Sequence, residues 1–316
     1  MQSKLRYKIV TGPAAIDIVA RIISAGQKAL FDAKAIDVFL KFIARYAIDV
    51  SRQPVAQIDD QIVAYGLCLV NPGATGNVFL PDDFPQLPGE YDFPTVAAGV
   101  LTFLAEKIDP WNLAFLQTMV CDENSPTCQI FQKAGFSPLC RLMTMQTNVP
   151  PPTQPENSGF HEWVQYNQST RERFAAVILQ SYEGSIDCPR LTGLRTGQEI
   201  LTGHYHSGLF EPQGWWILHH NHRDAGVLML NGTEENPRLL EIVYMGLTPQ
   251  SRGTGLGQIL LHHAFDVCRR LGKNTLRLAV DCDNTPAIKL YRKFGFQEIG
   301  YQTVMAVLNE NRRRNY

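Results

Sequence analysis

The sequence has little that favours a secreted, membrane-bound or nucleic-acid-binding protein. Its 316 residues carry a formal net charge of −1, from 29 basic and 30 acidic side chains, so no excess of one sign favours nucleic acid or an anionic membrane as a partner. No apolar run approaches the roughly 20 residues that cross a bilayer. Residues 1–10 alternate charged with apolar side chains instead of forming the apolar core of a signal peptide. We therefore expect a cytoplasmic protein.

Cysteine is scarce and irregularly placed. The seven cysteines are odd in number and nowhere spaced C-x-x-C, which disfavours a disulfide framework and favours a reducing compartment. A hydrophobic content of 45% and a charged content of 19% are ordinary for globular proteins. At this length the chain is sufficient for two domains, each with its own core.

A proline-rich segment divides the chain almost in half. Residues 149–155 read Val-Pro-Pro-Pro-Thr-Gln-Pro, and polar residues and a glycine follow. Such sequence resists helix and sheet and acts as a semi-rigid spacer. We predict a first domain over 1–148, a linker over 149–159 and a second domain over 160–316.

Both halves alternate predicted strands and helices. In the second half, the apolar spacing of 256–271 predicts a helix, and a capping box at Ser169 and Glu172 predicts a helix start. In the first half, 14–33, 35–48 and 95–107 read as helices, and 61–70 and 113–120 as strands. The predicted fold class is α/β, or α+β, with a mixed sheet flanked by helices.

An internal repeat relates the two halves. When the sequence is shifted by 160 residues, the Asn-x-Pro at 124–126 aligns with 284–286, and Gly-Phe at 135–136 aligns with 295–296. In the same ungapped frame, Phe131 aligns with Tyr291. The matching segments occupy equivalent places in the two halves, which favours two copies of one fold.

A glycine-rich loop between a predicted strand and a predicted helix is suited to bind phosphate. Glycines at 253, 255 and 257 allow tight turns and close approach of a ligand. The amides of the following helix start point into the loop, and Arg252 adds positive charge. Gln258 breaks the G-x-G-x-x-G pattern, and no Walker sequence is present. The remaining Q-x-x-G-x-G pattern is equally compatible with an ordinary glycine-rich turn.

A second motif favours the phosphate-binding interpretation. Residues 284–296 follow the layout N-x-x-A-x-x-x-Y-x-x-x-G-F after a predicted strand. Together, the two motifs resemble those of the GNAT superfamily of N-acetyltransferases, and the resemblance covers 160–308. The two-domain layout is similar to that of the mycothiol synthase family. The resemblance implies two tandem GNAT folds and acetyl-CoA as co-substrate.

The resemblance also implies positions for the cofactor. Leu247 is expected to offer backbone groups to the pantetheine arm, and Arg292 to meet phosphate. The full set of expected cofactor-binding residues is Leu247, Thr248, Gln250, Ser251, Arg252, Gly253, Thr254, Gly255, Leu256, Gly257, Asn284, Ala287 and Arg292.

Two catalytic residues are expected in the second domain. Tyr291 matches the family tyrosine that faces the CoA sulfur, so it is the candidate general acid; the alternative is a tyrosine packed in the core. Glu241 is the candidate base, because a carboxylate among apolar neighbours would have a raised pKa. The alternative for Glu241 is a strand glutamate that points to solvent.

The histidines raise the question of a metal site. His204, His206, His219, His220 and His222 form two dense groups, but no cysteine or carboxylate spacing completes a ligand set. We expect no metal, and favour histidines in or near an amine cleft.

The first half lacks the phosphate-binding features. The region equivalent to the loop, 81–92, carries four carboxylates and three prolines, and Phe131 replaces the tyrosine. We predict a degenerate, non-catalytic domain that packs against the second. The loop 71–76 could touch a ligand, although a hairpin turn is the favoured interpretation.

The sequence therefore predicts an acetyl-CoA-dependent N-acetyltransferase. The acceptor is a primary amine, expected on a small molecule. The alternatives are a non-catalytic acyl-CoA-binding or regulatory protein and a protein or peptide N-acetyltransferase. Neither the amine nor the oligomeric state follows from the sequence.

Overall fold

The computed structural model describes residues 4–25, 33–81, 87, 91–151 and 161–313. These residues form two compact units. One unit contains the residues up to 139 together with 303–313, and the other contains 140–302. The first unit therefore includes the end of the second sequence half, and the second unit includes the end of the first sequence half. Most of the predicted linker, from 152 onward, lies outside the described residues.

The first unit contains two sheets. Strands β1, β2 and β3 form an antiparallel sheet. In the second sheet, β4 and β5 form a hairpin, β5 pairs with β6 in parallel, and β6 pairs with 303–308 of β13. The elements are β1 (Leu5–Thr11), α1 (Pro13–Ala25), α2 (Ala33–Arg45), β2 (Arg52–Ile58), β3 (Gln61–Tyr65), β4 (Leu67–Asn71), β5 (Thr75–Phe79), α3 (Phe93–Ala105), β6 (Phe115–Val120), α4 (Pro126–Lys133) and the start of β7 (Ser137–Asn148).

The second unit contains a mixed sheet in which six strands lie in the order β7-β12-β11-β10-β9-β8. β11 and β12 are parallel, and the other neighbours are antiparallel. One face packs against α5 and α6, and the other against α7 and α8. The elements are β8 (Glu162–Gln165), α5 (Arg171–Tyr182), α6 (Gly197–Tyr205), β9 (Leu209–His220), β10 (Arg223–Gly232), β11 (Leu239–Leu247), α7 (Leu256–Arg270), β12 (Thr275–Asp281), α8 (Thr285–Lys293) and the start of β13 (Gln297–Leu308).

Side-chain caps open α3, α4, α6 and α8, and the start of α5 differs from the prediction. The predicted capping box at Ser169 and Glu172 is wrong. Asn167 accepts from the amides of 169 and 170, and a short 3-10 turn precedes α5. A capping box does open α6, where Thr196 and Glu199 satisfy each other's amides. Among the described residues, no helix is long and apolar enough to cross a membrane.

The internal repeat is reproduced in the hydrogen bonds that end α4 and α8. The amide of Phe136 donates to the carbonyl of Phe131 at 3.0 Å, and the amide of Phe296 donates to that of Tyr291 at 3.1 Å. The intervening glycines, at 135 and 295, both have positive φ, of 90° and 81°. The same backbone bonds in the two segments show that the aligned motifs close their helices in the same way.

His263 couples the stability of the second unit to pH. Its ring stacks on Trp163 with centroids 3.7 Å apart, and burial lowers its pKa to about 3. The histidine is therefore neutral in the folded state and takes up a proton on unfolding at acidic pH. Its contribution to stability is complete above the unfolded pKa of about 6.5 and is lost as pH falls toward 3.

We expect His263→Phe to flatten this acid dependence. Denaturant unfolding of the wild type should lose about 2 kcal/mol between pH 6.5 and pH 4 that the variant retains. The neighbouring His262 is exposed on the same helix, so His262→Phe is the matched control. Parallel stability curves for the wild type and His263→Phe would contradict the assignment.

Candidate functional site

The central strands of the second unit diverge. β11 pairs with β12 only from Leu239 to Ile242, although β11 continues to Leu247 and β12 to Asp281. A bulge begins at the same point, because Met229 faces Tyr244 whereas Leu230 faces Ile242. The extra residue is Val243, and a bulge of this kind bends and twists its strand. The edge of 243–247 therefore opens away from β12 and leaves backbone groups available to a ligand.

The loop after β11 presents unused amides. Gly253 and Gly255 have φ values of 75° and 87°, a region that favours glycine because L side chains are strained there. Gly255 is the N-cap of α7 and provides no capping side chain. Within the described residues, no hydrogen bond uses the amides of 253–257 as donors. These amides lie at the positive end of a fifteen-residue helix, which is a favourable arrangement for phosphate oxygens.

Other predicted loop residues hold the loop in place. Thr248 and Ser251 are buried and their hydroxyls lie 2.9 Å apart. The guanidinium of Arg252, predicted to add positive charge to the loop, donates to the carbonyls of Leu247 at 3.3 Å and Ser181 at 2.9 Å. Leu256 is buried in the core, whereas Gln250 and residues 253–255 are exposed.

Helix α8 packs beside this loop. A Cβ atom at Gly257 would lie 3.0 Å from Leu290, so glycine permits the close approach of the two helices. The side chain of Asn284 accepts from the amide of Ala287 at 3.3 Å, which makes Asn284 the cap of α8. Tyr291 is 6% exposed, and burial, then the charge of Asp187, raises its pKa.

Two basic residues of α8 near the loop have partners within the unit. Arg292 forms an ion pair with Glu298 on β13. Lys293 instead lies against the first turn of α7, where its ammonium donates to Gln258 Oε1 at 2.7 Å. Lys293 was not among the predicted site residues, because only the packing of α8 on α7 brings it to the loop.

Glu241 lies in a charged environment and not in the apolar one that its neighbours suggested. Its Oε1 is 3.4 Å from Arg277 Nε, across the parallel pair of β11 and β12. Its apolar neighbours Leu240 and Ile242 point to the other face, into the core against α7, because side chains alternate along a strand. Glu241 remains one-third exposed, so its carboxylate is accessible.

A polar group that sequence reasoning missed lies on the α5 and α6 face of the diverging strands. Tyr244 on β11 hydrogen-bonds to Ser181 Oγ at 2.7 Å. Its ring is 5.8 Å from that of Tyr182 and 5.1 Å from that of His204. Burial, and then the charge of Arg195, lowers the pKa of His204 to about 3. These side chains surround the bulge with neutral hydrogen-bond donors and acceptors.

Asp187 extends this polar group toward α8. Its Oδ1 accepts the amide of Asp281 at 3.0 Å, and burial of its carboxyl group, then the charge of Asp281, raises its pKa. The residue nevertheless has substantial exposed surface. Asp187 therefore connects the segment between α5 and α6 with the end of β12, and its charge contributes to the raised pKa of Tyr291 on α8.

The remaining histidines are separate from this group. His219 Nδ1 is 2.9 Å from Asp224, which also binds Arg173, and His220 lies 3.2 Å from His161. Among described residues, the three potential metal ligands that lie close together are Cys140, Cys188 and Asp281, and none is a histidine.

The first unit shows no comparable loop in its described part. Its residues 71–75 form the predicted hairpin turn between β4 and β5, and Phe131 is fully buried. Most of the acidic region predicted at 81–92 lies outside the described residues.

Comparison with known proteins finds a family match within the second unit. Residues 186–296 match the family described as Acetyltransferase (GNAT) family. A mycothiol acetyltransferase from Pseudarthrobacter chlorophenolicus is 26% identical over 175 residues, which are 51% of each chain. A streptothricin acetyltransferase from Streptomyces lavendulae is 36% identical over 81 residues, covering 26% of this chain and 42% of that protein. The chain thus matches about half the length of these relatives.

Solved structures share the fold over almost the whole chain. A GCN5-related N-acetyltransferase from Sphaerobacter thermophilus has a TM-score of 0.57 at 18% identity, covering 98% of this chain and 97% of its own. A tandem GNAT protein from the clavulanic acid biosynthesis pathway has a TM-score of 0.52 at 13% identity, with 96% and 98% covered. The predicted fold of two tandem copies is confirmed.

Proposed function

We propose that the second unit binds acetyl-CoA and transfers its acetyl group to a primary amine of a small molecule, as the match of residues 186–296 to the GNAT acetyltransferase family suggests. The observation that carries this proposal is the row of unused amides at 253–257, at the start of α7. Acetyl-CoA fits this site because its pyrophosphate oxygens can accept hydrogen bonds from several of these amides at once.

The neighbouring elements supply the rest of the cofactor site. The ammonium of Lys293 lies against the first turn of α7, where it adds charge next to the phosphates. The open edge of 243–247 on β11 offers backbone donors and acceptors to the amide groups of the pantetheine arm. The arm then runs between β11 and β12 toward Tyr291. In this arrangement Arg252 acts by holding the loop to Ser181 and Leu247.

The acetyl transfer is a direct attack. The amine nitrogen forms a bond to the thioester carbon, and the carbon–sulfur bond breaks. Glu241 takes the amine proton, through water where the carboxylate does not reach the nitrogen. Tyr291 gives its phenol proton to the leaving thiolate. Since burial raises the pKa of Tyr291, the phenol stays protonated at neutral pH and is available as an acid.

A small polar acceptor fits the environment of the bulge. Tyr244, Ser181 and His204 form a group of neutral donors and acceptors there, and Asp187 adds a carboxyl group. The relatives named above act on small molecules, mycothiol and streptothricin. We assign the amine of a small metabolite to this face of β11.

Calorimetric titration with acetyl-CoA tests the cofactor site. We expect one binding site per chain, because the described part of the first unit offers no loop of free amides. Two sites per chain would contradict the assignment of the first unit as non-catalytic. No binding at millimolar acetyl-CoA would overturn the proposed function.

Glu241→Gln tests the assignment of the base. We expect kcat for acetyl transfer to fall by about 10²-fold, because the amide cannot accept the amine proton. Glu235→Gln is the matched control, since Glu235 also contacts Arg277, at 3.6 Å, but is 82% exposed. The control should keep its activity within about twofold. Equal losses of kcat in the two variants would indicate that activity depends on the ion pairs with Arg277 and not on Glu241 as a base.

A further inference from the structure

Two thiols of the second unit lie in contact. The Sγ atoms of Cys140 and Cys188 are 2.8 Å apart, closer than two sulfur atoms rest in van der Waals contact. Both residues are partly exposed, so a small reagent can reach them. Cys282 is also partly exposed, but among the described residues none of its interaction partners is a thiol.

The backbone around both thiols is held in place. The amide of Cys188 donates to Asp281 Oδ2 at 3.0 Å, and the amide of Asp281 donates to Asp187 Oδ1 at 3.0 Å. Cys188 itself has φ of 45°, a region that L side chains rarely adopt. Cys140 lies two residues before Leu142, where β7 begins to pair with β12. The two segments that carry the thiols are therefore both held against Asp281 at the end of β12.

We propose that Cys140 and Cys188 are a site of reversible oxidative cross-linking by hydroperoxides. The sulfur of Cys140 attacks the peroxide oxygen and becomes a sulfenic acid, while the oxygen–oxygen bond breaks and water leaves. The sulfur of Cys188 then attacks the sulfenic sulfur, and its proton leaves with the hydroxyl group as a second water. Two thiols and one hydrogen peroxide thus give one disulfide and two waters.

The order of the two steps follows from the surroundings of Cys188. Its contact with Cys140, its burial and the nearby carboxylates of Asp187 and Asp281 raise its pKa. Since the thiolate is the nucleophile, Cys188 keeps its proton and Cys140 reacts first. Cys188 resolves the sulfenic acid because it is already in contact with it.

A cross-link accounts for the arrangement better than a metal ion does. A tetrahedral metal with bonds of about 2.3 Å would hold two thiolates about 3.8 Å apart, farther than observed. The carboxylate oxygens of Asp281, the third potential ligand, already accept the amides of Cys188 and Asp283. Closing the sulfur contact to the disulfide length of about 2.05 Å requires a small rotation of the side chains.

The cross-link would tie the segment between α5 and α6 to β7. That segment carries Asp187, whose Oδ1 accepts the amide of Asp281 at the end of β12. The proposal does not rest on acetyl transfer, so it can be tested by mass and by thermal stability alone.

The test is treatment of the reduced full-length protein with one equivalent of hydrogen peroxide. We expect the intact mass to fall by two hydrogen atoms, a Cys140–Cys188 linked peptide after digestion, and full reversal by dithiothreitol. The melting temperature should rise by about 5 °C on oxidation, because a long loop is closed in the unfolded chain. Cys188→Ser should abolish the linked peptide and the rise, and Cys282→Ser should leave both unchanged.

The peptide map of the oxidised wild-type protein tests the proposal even if Cys188→Ser does not fold. A linked peptide between other cysteines, or oxidation of Cys140 to sulfinic acid without a link, would overturn it. One equivalent of zinc in the purified protein, released as the two thiols become reactive to alkylation, would overturn it in favour of a metal site.

Discussion

Replacing Tyr291 by phenylalanine is expected to lower kcat for acetyl transfer by about 10²–10³-fold, with acetyl-CoA affinity unchanged within about twofold. The substitution removes only the hydroxyl that would protonate the leaving thiolate. The ring is 6% exposed and packs 5.6 Å from that of Phe296, and phenylalanine keeps this packing. The first unit already places a fully buried phenylalanine, Phe131, at the equivalent position. Steady-state kinetics and calorimetry with the purified variant measure the two quantities.

Tyr301→Phe is the matched control. Tyr301 is 40% exposed and its hydroxyl is bonded to Glu298, so its loss should leave kcat unchanged. If acetyl-CoA binds but neither the wild type nor Tyr291→Phe acetylates any amine in a broad screen, the chain is an acyl-CoA-binding protein and the catalytic assignment is wrong. Activity on peptides but not on small amines would identify a peptide acetyltransferase.

The helix after the glycine-rich loop, and the turns of that loop, could be predicted from local sequence patterns. The apolar spacing of 256–271 corresponds to α7, which runs over Leu256–Arg270. The glycines at 253 and 255 were predicted to allow tight turns, and both have positive φ. Such features depend on a few neighbouring residues and can therefore be recognised in the sequence alone.

The strands of the first unit were harder to predict. The predicted strand at 61–70 is two strands, β3 and β4, interrupted at Gly66, and β1, β2 and β5 had no clear local pattern. β1 and β3 pair with β2 on its two sides. Pairing between distant segments cannot be predicted from the spacing of apolar residues within one segment.

The partners of the charged site residues could not be predicted either. Arg252, Arg292 and Glu241 were assigned from their positions in motifs, and each meets a partner from elsewhere in the unit. The polar group around Tyr244 has the same origin, since it combines residues from α5, α6 and β11. Only the packing of helices on the sheet brings these side chains together.

Replacing Gly255 by alanine is expected to weaken acetyl-CoA binding by about 10- to 100-fold. Gly255 has φ of 87°, and an added Cβ would meet no atom within 4 Å, so the effect of the substitution is on the backbone. An L residue disfavours this conformation by about 1–2 kcal/mol, and the loop relaxes by turning its amides away from the phosphates. Loss of one hydrogen bond to a charged group costs about 1.5–3 kcal/mol, which corresponds to the expected loss of affinity.

Gly272→Ala separates this effect from general strain. Gly272 follows the other end of the same helix, has φ of 67° and also has open space around its Cβ position. The two variants should therefore lose similar unfolding free energy, on the order of 1 kcal/mol, measured by denaturant titration. Calorimetry should show weakened acetyl-CoA binding in Gly255→Ala and wild-type binding in Gly272→Ala. Because strain is common to both variants, a difference in affinity must come from the end of α7 at which the amides are free. Equal affinities in the two variants would mean that the pyrophosphate binds elsewhere.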